Sequence, residues 1–115
     1  MKLLKNLFKG KPAYKVISSE KSIQLYKGET VKREVFWKDV ERIRVYKKDL
    51  FTYDCIYLAF DLNNSSTFEI DEELEGFKET MGILPGVFKD IDEEWFFDVA
   101  FPAFETNMKT VWTRS

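Results

Sequence analysis

The chain has 115 residues, 44% of them apolar and 17% aromatic, a composition that excludes disorder and predicts a single packed domain over residues 1–115. It carries no histidine and one cysteine, which removes imidazole bases, most zinc sites, every His-dependent triad and any intramolecular disulfide. The net charge of −2 conceals a division: residues 1–48 hold 14 basic and 5 acidic side chains, net +9, whereas residues 49–115 hold 4 basic and 15 acidic, net −11. Either the fold lays these halves against each other, or each half turns its field towards a different partner.

At the start of the chain, Leu3, Leu4, Leu7 and Phe8 recur at helical spacing among Lys2, Lys5 and Lys9. This predicts a short amphipathic segment over 1–11 that ends at Gly10-Lys11-Pro12. It is too short to be stable alone, and it lacks the continuous apolar core and small-residue cleavage site of a secretory leader. No stretch approaches the ~18 uninterrupted apolar residues that span a bilayer. With a lone thiol, the expected location is the cytoplasm.

Beyond Pro12 the periodicity becomes that of strands, which make up most of residues 14–70. Strands are predicted over 14–18, 22–26 and 30–37, with a Lys27-Gly28-Glu29 turn, as consecutive antiparallel hairpins. A corner at Trp37-Lys38-Asp39-Val40 leads into a strand over 41–48. Strict alternation there sets Ile43 and Val45 against Arg42, Arg44, Tyr46 and Lys48, so one face is core and the other wet. A strand over 54–62 puts Ile56, Leu58, Phe60 and Leu62 on one side and Cys55, Tyr57 and Ala59 on the other, as expected of a strand covered on both faces with a buried thiol. Asn63-Asn64-Ser65-Ser66 forms a turn, and a strand over 67–70 returns.

Residues 71–100 read as helical. Asp71 is expected to cap a first helix with Glu72, Glu73 and Glu75 in its opening turn, where the dipole favours anions. Leu74, Phe77, Met81 and Leu84 would face inward, and Pro85-Gly86 would stop it. A second helix is expected over 92–100 with Trp95, Phe96 and Val99 inward, ended by Pro102. Residues 101–115 form an extension that closes with an edge strand over 109–113. The fold class is thus α+β: an antiparallel small barrel or strongly bent sheet of six or seven strands, followed by two C-terminal helices.

This order of strands, the corner pattern Trp37-x-Asp39-Val40-x-x-Ile43 and the helix that follows resemble the bacterial pleckstrin-homology-like domains over residues 14–84. The resemblance implies a small barrel with an acidic residue turning the corner, aliphatics entering the core and a helix closing one end. About thirty further aromatic-rich residues depart from that pattern. Leu50-Phe51-Thr52-Tyr53-Asp54 and the stretch from Ala100 to Asn107 also resemble segments of small bacterial proteins, a likeness that implies no activity. Pleckstrin-like barrels serve many partners, so the fold alone assigns no role.

Two surfaces stand out chemically. Arg42, Arg44, Tyr46 and Lys48 make a cationic stripe about 20 Å long with an aromatic inside it, suited to phosphoinositide headgroups, anionic lipid or single-stranded nucleic acid. Anionic lipid is kept and nucleic acid set aside. Leu50 and Phe51 beyond it would be either an apolar tip or part of the core. Glu72, Glu73, Glu75, Glu79, Asp92, Glu93 and Glu94 form an acidic helical side for a protein partner, with a basic surface as its complement, as when an immunity protein steers onto a cationic toxin. Carboxylates are the one catalytic currency left, and no phosphate-binding, dinucleotide-binding or nucleophile-elbow motif accompanies them. The expected protein is a non-enzymatic binding module without metal or cofactor. Its alternative is a peripheral module that meets anionic lipid through the stripe and the N-terminal segment.

Overall fold

The computed structural model describes residues 13–49, 54–94 and 108–114. Strands β1 (Tyr14–Ser18), β2 (Ser22–Lys27) and β3 (Thr30–Phe36) form one antiparallel sheet in the order β1-β2-β3. A single 3-10 turn, Trp37–Asp39, makes the predicted corner and opens β4 (Val40–Asp49). β4 pairs with β5 (Asp54–Leu62), β5 with β6 (Thr67–Asp71), and β7 (Met108–Thr113) returns to the free side of β4. This gives a second sheet in the order β6-β5-β4-β7. The architecture is α+β, with seven strands in two antiparallel sheets and one helix among the described residues. Neither sheet closes on itself or on the other, so the expected barrel is not formed.

One continuous apolar cluster joins both sheets and the helix. Val16, Ile23 and Val35 come from the first sheet, Ile43, Val45, Leu58, Phe60 and Phe68 from the second, each at its inward-facing position. Trp37 sits at the hinge between them, 5.4 Å from the ring of Phe60 and 5.6 Å from that of Phe88, with its indole N–H donating to the carbonyl of Ser19 at 2.7 Å. The corner is pinned further by the Asn63 amide, which donates to the Asp39 carbonyl at 2.9 Å.

The helix differs from expectation at both ends. Asp71 ends β6 and its carboxylate receives the Glu73 N–H at 2.9 Å, a tight local turn instead of a helix cap. Helix α1 (Phe77–Val87) begins six residues later, after Gly76 in the left-handed region at φ 95°. A Cβ on Gly76 would lie 2.0 Å from the carbonyl oxygen of Val16, so the close approach of α1 to β1 requires glycine there. Glu72, Glu73 and Glu75 therefore lie before the helix. Pro85 lies inside its last turn, where a missing N–H sacrifices one bond, and the Phe88 N–H closes the helix on Leu84 at 2.7 Å. Phe77 and Leu84 are buried as predicted, while Leu74 packs on the same core from the preceding turn.

The described part of the expected second helix, Asp92 to Glu94, is not helical: Glu93 and Glu94 form a turn, with the Glu94 N–H donating to the Asp92 carboxylate at 3.0 Å. The rest of it, the N-terminal segment and the Leu50-Phe51 connection lie outside the described residues. Among those described, no helix is long and apolar enough to cross a membrane.

Candidate functional site

Strand alternation places Arg42, Arg44, Tyr46 and Lys48 together on the outer face of β4, as predicted. The cationic stripe is nonetheless engaged. In the antiparallel register Asp61 of β5 lies opposite Arg42. Its carboxylate accepts from Arg42 Nε at 2.8 Å, from Arg44 Nε at 2.7 Å, from Arg44 Nη2 at 2.8 Å and from the Thr67 hydroxyl of β6 at 2.8 Å. The Arg44 fork, helped by Arg42 and Thr67, holds the Asp61 carboxyl well below the usual carboxylate range despite its burial, and the same bonds raise Arg44.

Further along, the Tyr46 hydroxyl donates to the Glu69 carboxylate of β6. Its ring stacks on that of Tyr57, centroids 5.3 Å apart and planes 10° from parallel, and the Lys48 ammonium sits 4.5 Å from the Tyr57 centroid. Burial first, then the bond and charge of Glu69, push the Tyr46 phenol upward. The stripe is thus the middle of a three-strand network in which the cations are set against Asp61, Glu69 and two aromatic faces. The surface predicted to receive anions carries its own.

The acidic side is organised differently. Glu72 turns inward, its carboxylate accepting the Ile56 N–H at 2.9 Å, and serves the end of β5. Asp92 is paired with Lys109 at 2.7 Å, which with the Glu94 N–H lowers its carboxyl. Glu73, Glu75, Glu79, Glu93 and Glu94 are exposed. Of these, Glu75 and Glu79 flank a groove of about 340 Å³ between β1 and α1. Val16, Ile17, Ile83 and the bare backbone of Gly76 complete its walls. The Glu75 carbonyl accepts the Val16 N–H at 2.9 Å and the Thr80 hydroxyl donates to that of Ser18 at 3.0 Å, which fixes the helix against the strand.

No family model, curated protein or solved structure matches the chain. The geometry therefore stands alone in assigning roles. Cys55, Asp71 and Glu73 bring a thiol and two carboxylates within 4.8 Å of one another, a donor set that would meet a cation. Burial, and then the charge of Asp71, push the Cys55 thiol upward, so it is a protonated, poor ligand at neutral pH. Cys55 is buried as the apolar run around it implied.

Among the residues that sequence reasoning missed, two organise the second sheet. Asp61 sits in an apolar run and is the hub of the outer face; its position opposite Arg42 becomes visible only once the β4–β5 register is known. Arg114 donates to the carbonyls of Val40 (2.7 Å), Lys38 (3.2 Å) and Trp37 (3.3 Å), closing the corner from the far end of the chain. Nothing local marks it.

Proposed function

We propose that this protein is a small non-enzymatic cytoplasmic binding module of bacterial pleckstrin-homology-like architecture, which meets a basic protein partner through its acidic side. The observation that carries the reading is a difference between the β4 stripe and the acidic segment. The two arginines of the basic stripe are both hydrogen-bonded to Asp61 within the second sheet, whereas residues 71–79 present five acidic side chains against one lysine, with Glu73, Glu75 and Glu79 exposed. An outward field of one sign raises the encounter rate with a partner of the other sign and disfavours like-charged competitors. The architecture part of the proposal is supported by the strand-closing Trp37, the Asp39 corner and a helix packed against the first strand; β7, returning beside β4 after that helix, is an addition to the resembled pattern.

Carbodiimide cross-linking of the full chain in cell extract at low salt, with identification of the adducts, tests this. The expected result is a salt-sensitive adduct rich in lysine, lost in the Glu75→Lys/Glu79→Lys/Glu93→Lys variant. Adducts unchanged in that variant would overturn the reading, as would salt-dependent sedimentation of the wild-type protein with phosphatidylserine vesicles in place of protein adducts.

A further inference from the structure

Among the described residues, charge and apolar surface of the acidic side come together at the groove between β1 and α1. The groove between β1 and α1 is lined by Ile17 and Ile83 and flanked by Glu75 and Glu79. Ile17 is 48% exposed, unusual for an isoleucine in a strand, and the two carboxylates take no hydrogen bond or ion pair among the described residues. Lys15 also borders the groove; its backbone bridges to Glu75, and its ammonium lies 5.6 Å from the Tyr26 ring without forming an ion pair to either carboxylate.

From this juxtaposition we infer that the β1–α1 groove is the receptor for an aliphatic side chain flanked by lysine or arginine, carried on a segment of the partner protein. The aliphatic group covers Ile17 and Ile83, and the flanking cations reach Glu75 and Glu79. Charge complementarity sets the occupant: an acidic segment would bring like charges onto the two carboxylates, and an uncharged one would leave them without counterions. The bare backbone of Gly76 lets α1 approach β1 and so forms the groove. The groove is rigid, because the Val16–Glu75 backbone bond and the Thr80–Ser18 hydroxyl pair lock helix to strand on either side of it, so little ordering cost falls on the receptor.

The inference rests on the acidic-side reading and is tested separately from it. The isotope-labelled full chain is titrated with a short synthetic peptide carrying one leucine between lysine and arginine pairs, with two control peptides: leucine replaced by serine, and the cations replaced by glutamate. The expected result is saturable amide shifts centred on Ile17, Gly76, Glu79 and Ile83, absent with the glutamate peptide and weakened with the serine one. Glu75→Gln/Glu79→Gln should lower affinity about tenfold at low salt, the sum of two rim pairs, and Ile17→Ser, at a half-exposed position, should also weaken binding without unfolding the chain. Shifts that map to the outer face of β4, no saturable shift at the groove, or indifference to Ile17→Ser would overturn the inference. If cross-linked partners still depend on the acidic side in that event, the wider reading stands and only the groove is lost.

Discussion

Replacing Asp61 with asparagine tests the claim that one carboxylate holds both arginines of the basic stripe. The change keeps the side-chain shape, removes the charge and sets an amide N–H₂ against two guanidinium groups. Asp61 accepts four hydrogen bonds, two of them the fork from Arg44. Charge-assisted bonds to partly buried groups contribute about 1.5–3 kcal/mol, and exposed pairs under about 1 kcal/mol. The Arg44 fork belongs to the first kind, at 23% exposure, and the Arg42 pair to the second, at 51%. Allowing for the one oxygen that asparagine retains, the expected loss is about 2–3 kcal/mol at pH 7. In urea, with a slope of about 1.5 kcal/mol/M for a chain of this size, the midpoint falls by about 1.5 M. The unfolding is followed through the buried Trp37.

The pH dependence has a definite sign. The folded-state pKa of Asp61 is depressed, so its contribution is present above the unfolded value of about 3.9 and is lost as pH falls from there towards the folded pKa. The gap between wild type and Asp61→Asn should stay constant from pH 7 to about pH 4.5 and narrow below it. The variant should also gain affinity for phosphatidylserine vesicles by up to about thirtyfold, at about 1 kcal/mol for each of two released arginines. A gap that persists undiminished at pH 2, or a wild type that binds vesicles as tightly as the variant, would refute the reasoning.

Three further outcomes follow from the geometry. Gly76→Ala places a Cβ 2.0 Å from the Val16 oxygen at φ 95°; left-handed strain of about 1–2 kcal/mol plus about 1–3 kcal/mol for the lost Val16–Glu75 bond give about 2–5 kcal/mol, whereas Gly82→Ala, with open space around it in α1, should stabilise by about 0.5–1 kcal/mol, and calorimetry of the pair checks the contrast. Arg114→Gln should cost about 1–2 kcal/mol by releasing three corner carbonyls, discounted because the side chain is 40% exposed; an unchanged urea midpoint would show that the corner holds without it. Tyr46→Phe should remove the component that ionises last in an alkaline absorbance titration. Because the folded pKa of this phenol is raised, the stability it contributes is present below about pH 10 and lost as pH climbs further; loss of an ordinary component instead would contradict the bond to Glu69.

The elements of this fold were largely legible in its sequence, because period-2 alternation and turn residues act over a few neighbours. All seven strands lie where alternation put them, the Trp37–Asp39 corner is a corner, and Ile43 and Val45 face opposite Arg42 and Arg44. Local chemistry also misled. Asp71 followed by three glutamates has the composition of a capped helix, yet pairing with β5 holds Asp71 in β6, and the helix waits for Gly76. The candidate site depended on contacts that composition cannot encode. That Arg42 and Arg44 share a face follows from the sequence alone. That Asp61 stands beside them depends on the β4–β5 register, whose sequence separations are set by chain closure and core packing. The same holds for the groove, which residues 17 and 83 line together because a glycine lets α1 lie against β1. The sequence by itself determined which side chains are charged and which way each strand turns them; tertiary structure decided which charges cancel and which remain for a partner, because Coulombic pairing depends on distance through space and not along the chain.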